Sequence, residues 1–447
     1  MIRYRFLETP AGKITFGAFL FVMLLLARDT MITTAILGFT KSQFLMLGLI
    51  CLFGLAFLWV NRKEWKNLLL DKRMPVFLIS ALILLLPMVL KRDWQMMYFS
   101  ILICLFFAVF LTFFTSLRDV AKYYVVFMAA LGVYSMIATY VLREFAQAGI
   151  WDVPVFYNAS GWDFYNFGLC FSVTWELWHR NFGIFREPGV YQFFLLLALY
   201  LNNYAVSWKK DWQIWLVNII LAVTMVTTFA IGGYAETALL AVFVFFDQKW
   251  YRKKAGKVVI GLVLLAFAGV AVHFLYLWKT SWLEYSVYFE LYDMFARLTT
   301  DSDSAVDRMD AILTNLRFIF QNPLVGNPLG EVLHGTNHNT SSTLILYAIL
   351  GVAGGTLNVA AWIALTWKKE RNLIANMILL GILFMSFNTQ NLVADVFFWL
   401  FPYMALVEWI LPKFTLSERK VCVYGTGTAE KSPADPAGNC ERDQTGL

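Results

Sequence analysis

Long apolar runs, separated by polar connections that carry lysine and arginine, dominate this chain. Runs near the length of a membrane span, about 17–25 residues, fall near 13–27, 43–60, 74–90, 96–114, 121–142, 190–206, 212–230, 233–247, 257–277, 341–366, 372–388 and 394–412. The pattern predicts about twelve transmembrane helices. Gly232 and Gly233 set the short 233–247 run apart from its predecessor, so those two runs form either a tight hairpin or one broken helix. Basic residues crowd into every second connection: Arg3, Arg5 and Lys13; Arg62 to Arg73; Arg118 and Lys122; Lys209 and Lys210; Lys249 to Lys257; Lys368 to Arg371; and Lys413 to Lys420. An excess of Lys and Arg marks cytoplasmic loops, which predicts both termini in the cytoplasm. Two long connections, 143–189 and 278–340, then face outward.

Composition narrows the class further. The 447 residues are 60% hydrophobic and 15% charged, against about 45–50% and about 25% in a soluble domain. A soluble fold this apolar would expose too much greasy surface. The expected class is an all-α, polytopic membrane protein with helical external loops: a transmembrane domain over 1–412 and a polar cytoplasmic tail over 413–447. The tail has no apolar period and is expected to be disordered. A net charge of +6 is modest, and no nucleic-acid partner is implied. Cys170 stands in an external loop without a partner there, so no disulfide framework is read. The first run lacks a small-residue cleavage pattern, so no cleavable signal peptide is expected.

The first external loop is aromatic, with Trp151, Trp162, Trp175 and Trp178. Such rings stack on sugars or anchor at the headgroup level, and Trp178 is a candidate glycan contact. The loop ends in Arg186-Glu187-Pro188-Gly189, directly before an apolar run. Pro188 suits the first turn of a helix, and Glu187 near a helix N-terminus is favoured by the dipole. Arg186 there is not favoured. It needs an anion, either Glu187 or a phosphate from outside.

In the second external loop, Ser304 and Asp307 resemble a helix start. A helical projection puts Ala305, Met309, Ile312, Leu313, Leu316 and Phe320 in one apolar stripe, with Arg308 and Arg317 on opposite edges. That suits a helix on a membrane surface with snorkelling cations, or one that turns an arginine inward to grip a pyrophosphate. Asp301 and Asp303 offer too few ligands for a metal, and helix-start chemistry explains them; no metal site is predicted. A run of turn signals follows, from Asn322 to Gly330, and then His338-Asn339 just before a span. His338 could be a metal ligand, a general base or a hydrogen-bonded structural group, with no HExxH-like spacing to favour zinc, and Asn339 or Thr340 is a candidate helix cap.

The order Arg308, Asn322-Pro323-Leu324-x-Gly326, Gly330, His338-Asn339, Tyr347 and Gly351 resembles the region shared by O-antigen ligases and Wzy-type O-antigen polymerases. Phe185-Arg186-Glu187-Pro188-Gly189 is similar to the "EPG" turn of the polymerases. Residues 227–240 are similar to the family's "TxSxxGY" hairpin, with Ala230 in place of the usual small hydroxyl residue. The resemblance covers about a quarter of the chain. It implies a fold of the GT-C-like kind, the inner membrane as location, and inverting glycosyl transfer at its outer face without metal or cofactor. Donor and acceptor would be undecaprenyl-pyrophosphate-linked glycans, within the lipid bilayer, and a chain-length regulator stays open as a further partner. Transfer builds negative charge on the leaving pyrophosphate, which arginines can stabilise; a histidine can activate the acceptor hydroxyl near neutral pH. The expected assignments are Arg186, Arg308 and Arg317 at the pyrophosphate, His338 or Glu187 as the base, and Asn339 and Trp178 at the glycan.

Two other readings stay open. An O-antigen ligase would transfer the finished polymer to lipid A-core. A transporter or flippase would instead place ionisable groups within the spans; here Glu236 and Glu408 are the main ones.

Overall fold

The structure is a computed structural model that describes residues 9–60, 71–113, 115–157, 162–174, 179–252, 254–280, 303–335 and 339–411. Each of the twelve apolar runs coincides with a helix. In chain order these are α1 (Pro10–Leu25), α2 (Phe39–Val60), α3 (Arg73–Lys91), α4 (Met96–Thr112), α5 (Leu117–Ile137), α6 (Pro188–Tyr204), α7 (Asp211–Thr227), α8 (Ile231–Asp247), α9 (Lys254–Lys279), α12 (Ser342–Thr366), α13 (Leu373–Asn388) and α14 (Val396–Ile410). Between α9 and α12 lie α10 (Asp303–Gln321) and α11 (Leu329–His334). Among the described residues, four helical stretches are long and apolar enough to cross a membrane: Phe39–Ala56, Arg73–Lys91, Leu117–Gln147 and Ser342–Thr366. Several others are apolar but shorter. The chain is therefore a mostly helical membrane protein. The 413–447 tail, His338 and Trp178 lie outside the described residues.

Local signals set the helix starts. Thr9, Ser116, Asn372 and Asp395 cap α1, α5, α13 and α14 with their side chains, each satisfying amides that a helix leaves open. Pro188 occupies the first turn of α6, as expected. The apolar runs around Gly232-Gly233 form a hairpin, because α7 ends at Thr227 and α8 starts at Ile231.

The core is built on α4, α6 and α14. The first fifteen residues of α6 are all buried except Gly189, and α14 is buried from Val396 to Val407. Outer helices turn apolar stripes away from the protein. On α3 the exposed large apolar residues are Leu78, Ile79, Leu82, Leu86, Val89 and Leu90, spaced to share one side of the helix. Water would not tolerate such a surface, whereas lipid does.

The first external loop begins with a short helix, Arg143–Gln147, and then departs from the expected helical form. Its aromatic stretch makes a three-stranded antiparallel sheet of β1 (Val155–Tyr157), β2 (Asp163–Asn166) and β3 (Phe171–Val173), with Phe156 opposite Phe164 and Tyr165 opposite Ser172. Aromatic and β-branched side chains favour strands. Phe164, Phe171 and Val173 bury a small second core with Met31 and Phe182.

Contacts between helix ends fall into two sets. Connections expected outside touch one another: 28–31 with 184–186 and 395, Asp93 with Leu329, and Asn388 with Thr343. Connections expected inside do the same: Arg73 with Thr112, Leu117 with Glu408, Tyr200 with Leu365, and Arg371 with Asp247.

Candidate functional site

Arg186 sits where the backbone of 184–186 runs beside the α1–α2 connection. Its amide donates to the Asp29 carbonyl at 3.0 Å, and Met31 N donates to Ile184 O at 2.8 Å. Its guanidinium donates from Nε to Asp29 Oδ1 at 2.9 Å and pairs with Glu187 Oε1 at 3.2 Å. Burial works against this charge, but Asp29 and Glu187 outweigh it and raise the pKa above its ordinary value. Of the two anions that could answer Arg186, the structure therefore supplies protein carboxylates. Glu187 takes the N-cap position of α6, yet its side chain makes no capping bond and turns to Arg186.

Asp395 joins this cluster from the start of α14. It accepts from the amides of Phe397 and Arg28, at 2.8 and 3.2 Å. Its carboxylate is fully buried. Arg28 lies over the Phe39 ring at 4.5 Å. The cluster thus sets the guanidiniums of Arg28 and Arg186 against the carboxylates of Asp29, Glu187 and Asp395.

Arg308 is placed differently. It is exposed on α10 and makes no ion pair with any described residue. The buried face of α10 is Ala311 and Asn315, with Phe318 packed against the core. At about 100° per residue, Arg308 borders that inward face, and Arg317 lies roughly 180° from it. The outward stripe is Val306, Met309, Leu313 and Phe320, from 58% to 80% exposed, with Arg317 at its edge. The two arginines are on opposite edges, as expected, but only Arg308 is turned towards the protein.

The field of Arg308 reaches Glu236 on α8. Glu236 is 3% exposed, accepts from Gln192 Nε2 of α6 at 3.4 Å, and has Ser386 of α13 beside it, with the Ser386 hydroxyl outside good hydrogen-bond geometry. Gln390 touches Gly189 at the start of α6, and its carbonyl accepts from Ser342 at the start of α12. The ends of α6, α8, α12 and α13 thus meet on the side where α10 packs. Arg186 stands at the start of α6, and no hydrogen bond or ion pair among the described residues links it to Arg308.

Asn339 is fully occupied. Its amide exchanges hydrogen bonds with Asn315 at 2.8 and 3.0 Å and donates to Val332 O at 3.1 Å, which fastens α10 to the start of α12. Ser341, not Asn339 or Thr340, takes the cap position of α12, and Asn388 serves the Thr343 amide from across the interface. In the α7–α8 hairpin, Ala230 offers no hydroxyl; Arg180 instead donates to the Thr228 and Phe229 carbonyls at 3.3 and 2.9 Å.

Of the two main carboxylates within apolar runs, Glu408 accepts the Leu117 amide at 3.0 Å at the opposite end of the protein. That is a structural role, and it leaves Glu236. Sequence could single out Glu236 by its charge, but Asp29, Asp395, Gln192 and Gln390 look like ordinary turn and helix-end residues. A separate cleft of about 450 Å³, lined by Lys13, Asp119, Lys122 and Tyr123, opens where α1 and α5 begin, away from this chemistry. Comparison with protein-family models, with curated proteins and with solved structures finds no match to this chain.

Proposed function

We propose that this protein polymerises undecaprenyl-pyrophosphate-linked oligosaccharide repeat units, by inverting glycosyl transfer at the outer face of the inner membrane. In this reading the chain crosses the membrane twelve times with both termini in the cytoplasm. The pairing of like ends, outer with outer and inner with inner, supports that topology. The observation that carries the reading is Arg308: an exposed cation without an ion pair among the described residues, at the inward edge of an external helix. A leaving pyrophosphate needs such a charge, already positioned. Arg186 serves the same end by holding the start of α6, since its own charge is spent on Asp29 and Glu187.

Deleting the gene and running surface polysaccharide on a gel tests the reading. A product of single repeats is expected. Unligated lipid-linked polymer would point to a ligase instead, and an unchanged ladder would end the proposal.

The outward stripe of α10 belongs in the outer leaflet, with Arg317 at the headgroups, as expected of a surface-lying amphipathic helix. Benzoylphenylalanine in place of Leu313, in the full chain in phospholipid nanodiscs, is expected to give phospholipid adducts on illumination. Crosslinks to protein, or no adduct, would place the stripe elsewhere.

A further inference from the structure

Glu236 is a buried carboxylate to which the reading above gives no chemical role. Its position depends on Gly233. A Cβ on Gly233 would stand 2.8 Å from Gln192 Oε1 and 2.9 Å from Met225 Sδ. Only glycine lets the first turn of α8 come this close to α6. That approach carries Glu236, one turn later, into the seam between α6 and α13, where Gln192 and Ser386 face it.

The carboxylate is poorly served there. An ionised carboxylate offers about four acceptor sites. The bond from Gln192, at 3.4 Å, is at the outer limit of hydrogen bonding, and Ser386 Oγ makes none in good geometry. Among the described residues the charged group acting on it is Arg308, which is not in ion-pair contact. Other carboxylates on this side are committed. Asp29 and Glu187 hold Arg186, Asp395 caps α14, and Asp93 accepts from Tyr98 and from the Leu329 amide. Glu236 alone of these keeps lone pairs free, and it does so at the packed seam of α6, α8 and α13. A sugar hydroxyl is a donor of the kind it lacks.

Resting on the glycosyl-transfer reading, we infer that Glu236 is the proton acceptor for the attacking hydroxyl. The acceptor O–H bond breaks and its proton passes to a Glu236 oxygen. The freed oxygen forms the new bond to the anomeric carbon from the face opposite the leaving group. The bond from that carbon to the phosphate oxygen breaks, and its electron pair leaves with undecaprenyl pyrophosphate, next to Arg308. Base and cation would thus stand on two sides of one reacting carbon, which agrees with inversion.

The test uses the full chain in nanodiscs, with the lipid-linked glycan that accumulates in the deletion strain as substrate and undecaprenyl pyrophosphate as the binding probe. Glu236→Gln keeps size and hydrogen bonding but cannot take the proton. It is expected to lower turnover about 100-fold or more while binding of undecaprenyl pyrophosphate and thermal stability stay unchanged. Glu236→Asp should keep part of the turnover and displace the acidic limb of the pH–rate profile. Wild-type turnover in Glu236→Gln would overturn the inference. So would joint loss of binding, stability and turnover, which marks a structural residue. Failure of the wild-type protein to extend the glycan would instead overturn the transfer reading itself, before any substitution is made.

Discussion

Replacing Arg308 by alanine is expected to cut polymer formation about 100- to 1,000-fold, the usual effect of removing one preorganised group from a developing negative charge. Protein level and thermal midpoint should not move. Arg308 is exposed and bonds to no described residue, and surface substitutions of that kind change stability by about 0.5 kcal/mol or less. Lysine should rescue only in part, because a point charge does not reproduce the two-pronged grip of a guanidinium on phosphate. Two further arginines make the result diagnostic. Arg317→Ala removes a cation from the far side of the same helix and should leave turnover near the wild-type value. Arg186→Ala should instead destabilise. Asp29 is 5% exposed, and a buried acceptor left without its donor costs about 1–3 kcal/mol. Turnover by Arg308→Ala at the wild-type rate in a polymer assay would remove the pyrophosphate role.

Why the sequence revealed some of this and hid the rest follows from what a bilayer rewards. Helices such as α3 and α12 were legible because a span must be apolar over its whole length and satisfy its own backbone. The same requirement hides orientation. On α10 the period showed an apolar stripe through Met309, Leu313 and Phe320, but not that it faces outward. In water that stripe would be the core. At a membrane the buried face can be small and polar, as Ala311 and Asn315 are, because lipid is as apolar as leucine. The sheet in the first external loop was missed for a different reason. Strands of three and four residues give too short an alternation to separate from an interfacial aromatic belt. Glu236 was visible as a charge in an apolar run. Asp29 and Asp395 were not, since their partners, Arg186 and the Arg28 amide, are 157 and 367 residues away.

The motif from Asn322 to Gly330 is explained by Gly351, and Gly351→Ala should be the most destabilising small substitution in the region. Gly351 has φ +67° and ψ −171°, in the middle of α12, a conformation essentially confined to glycine. The break frees backbone groups that the Asn322–Gly330 turn takes up. Val352 N donates to Pro323 O at 2.7 Å, and Ala348 O accepts from Asn327 N at 2.7 Å. Lys91 Nζ donates to Ile349 O and to Asn327 O, and Asn327 Nδ2 donates to Phe318 O at 2.7 Å. A Cβ at Gly351 would run into the Leu324 carbonyl, which is backbone and cannot step aside. Forced backbone and overpacking together amount to about 2–5 kcal/mol, read as a lower thermal midpoint and a lower steady-state level in the membrane. Gly330 is the control from the same motif. It has no heavy atom within 4 Å of its would-be Cβ and lies within α11, so Gly330→Ala should be neutral or stabilising by up to about 1 kcal/mol. Equal tolerance of both substitutions would show that the turn does not clip the broken helix. The clip also bears on chemistry. Phe318 and Asn315 belong to the helix that carries Arg308, and Asn327 and Asn339 tie that helix to α12. A loosened Gly351 should therefore lower turnover even in the protein that still folds, because Arg308 would no longer be held at the edge of the seam that contains Glu236.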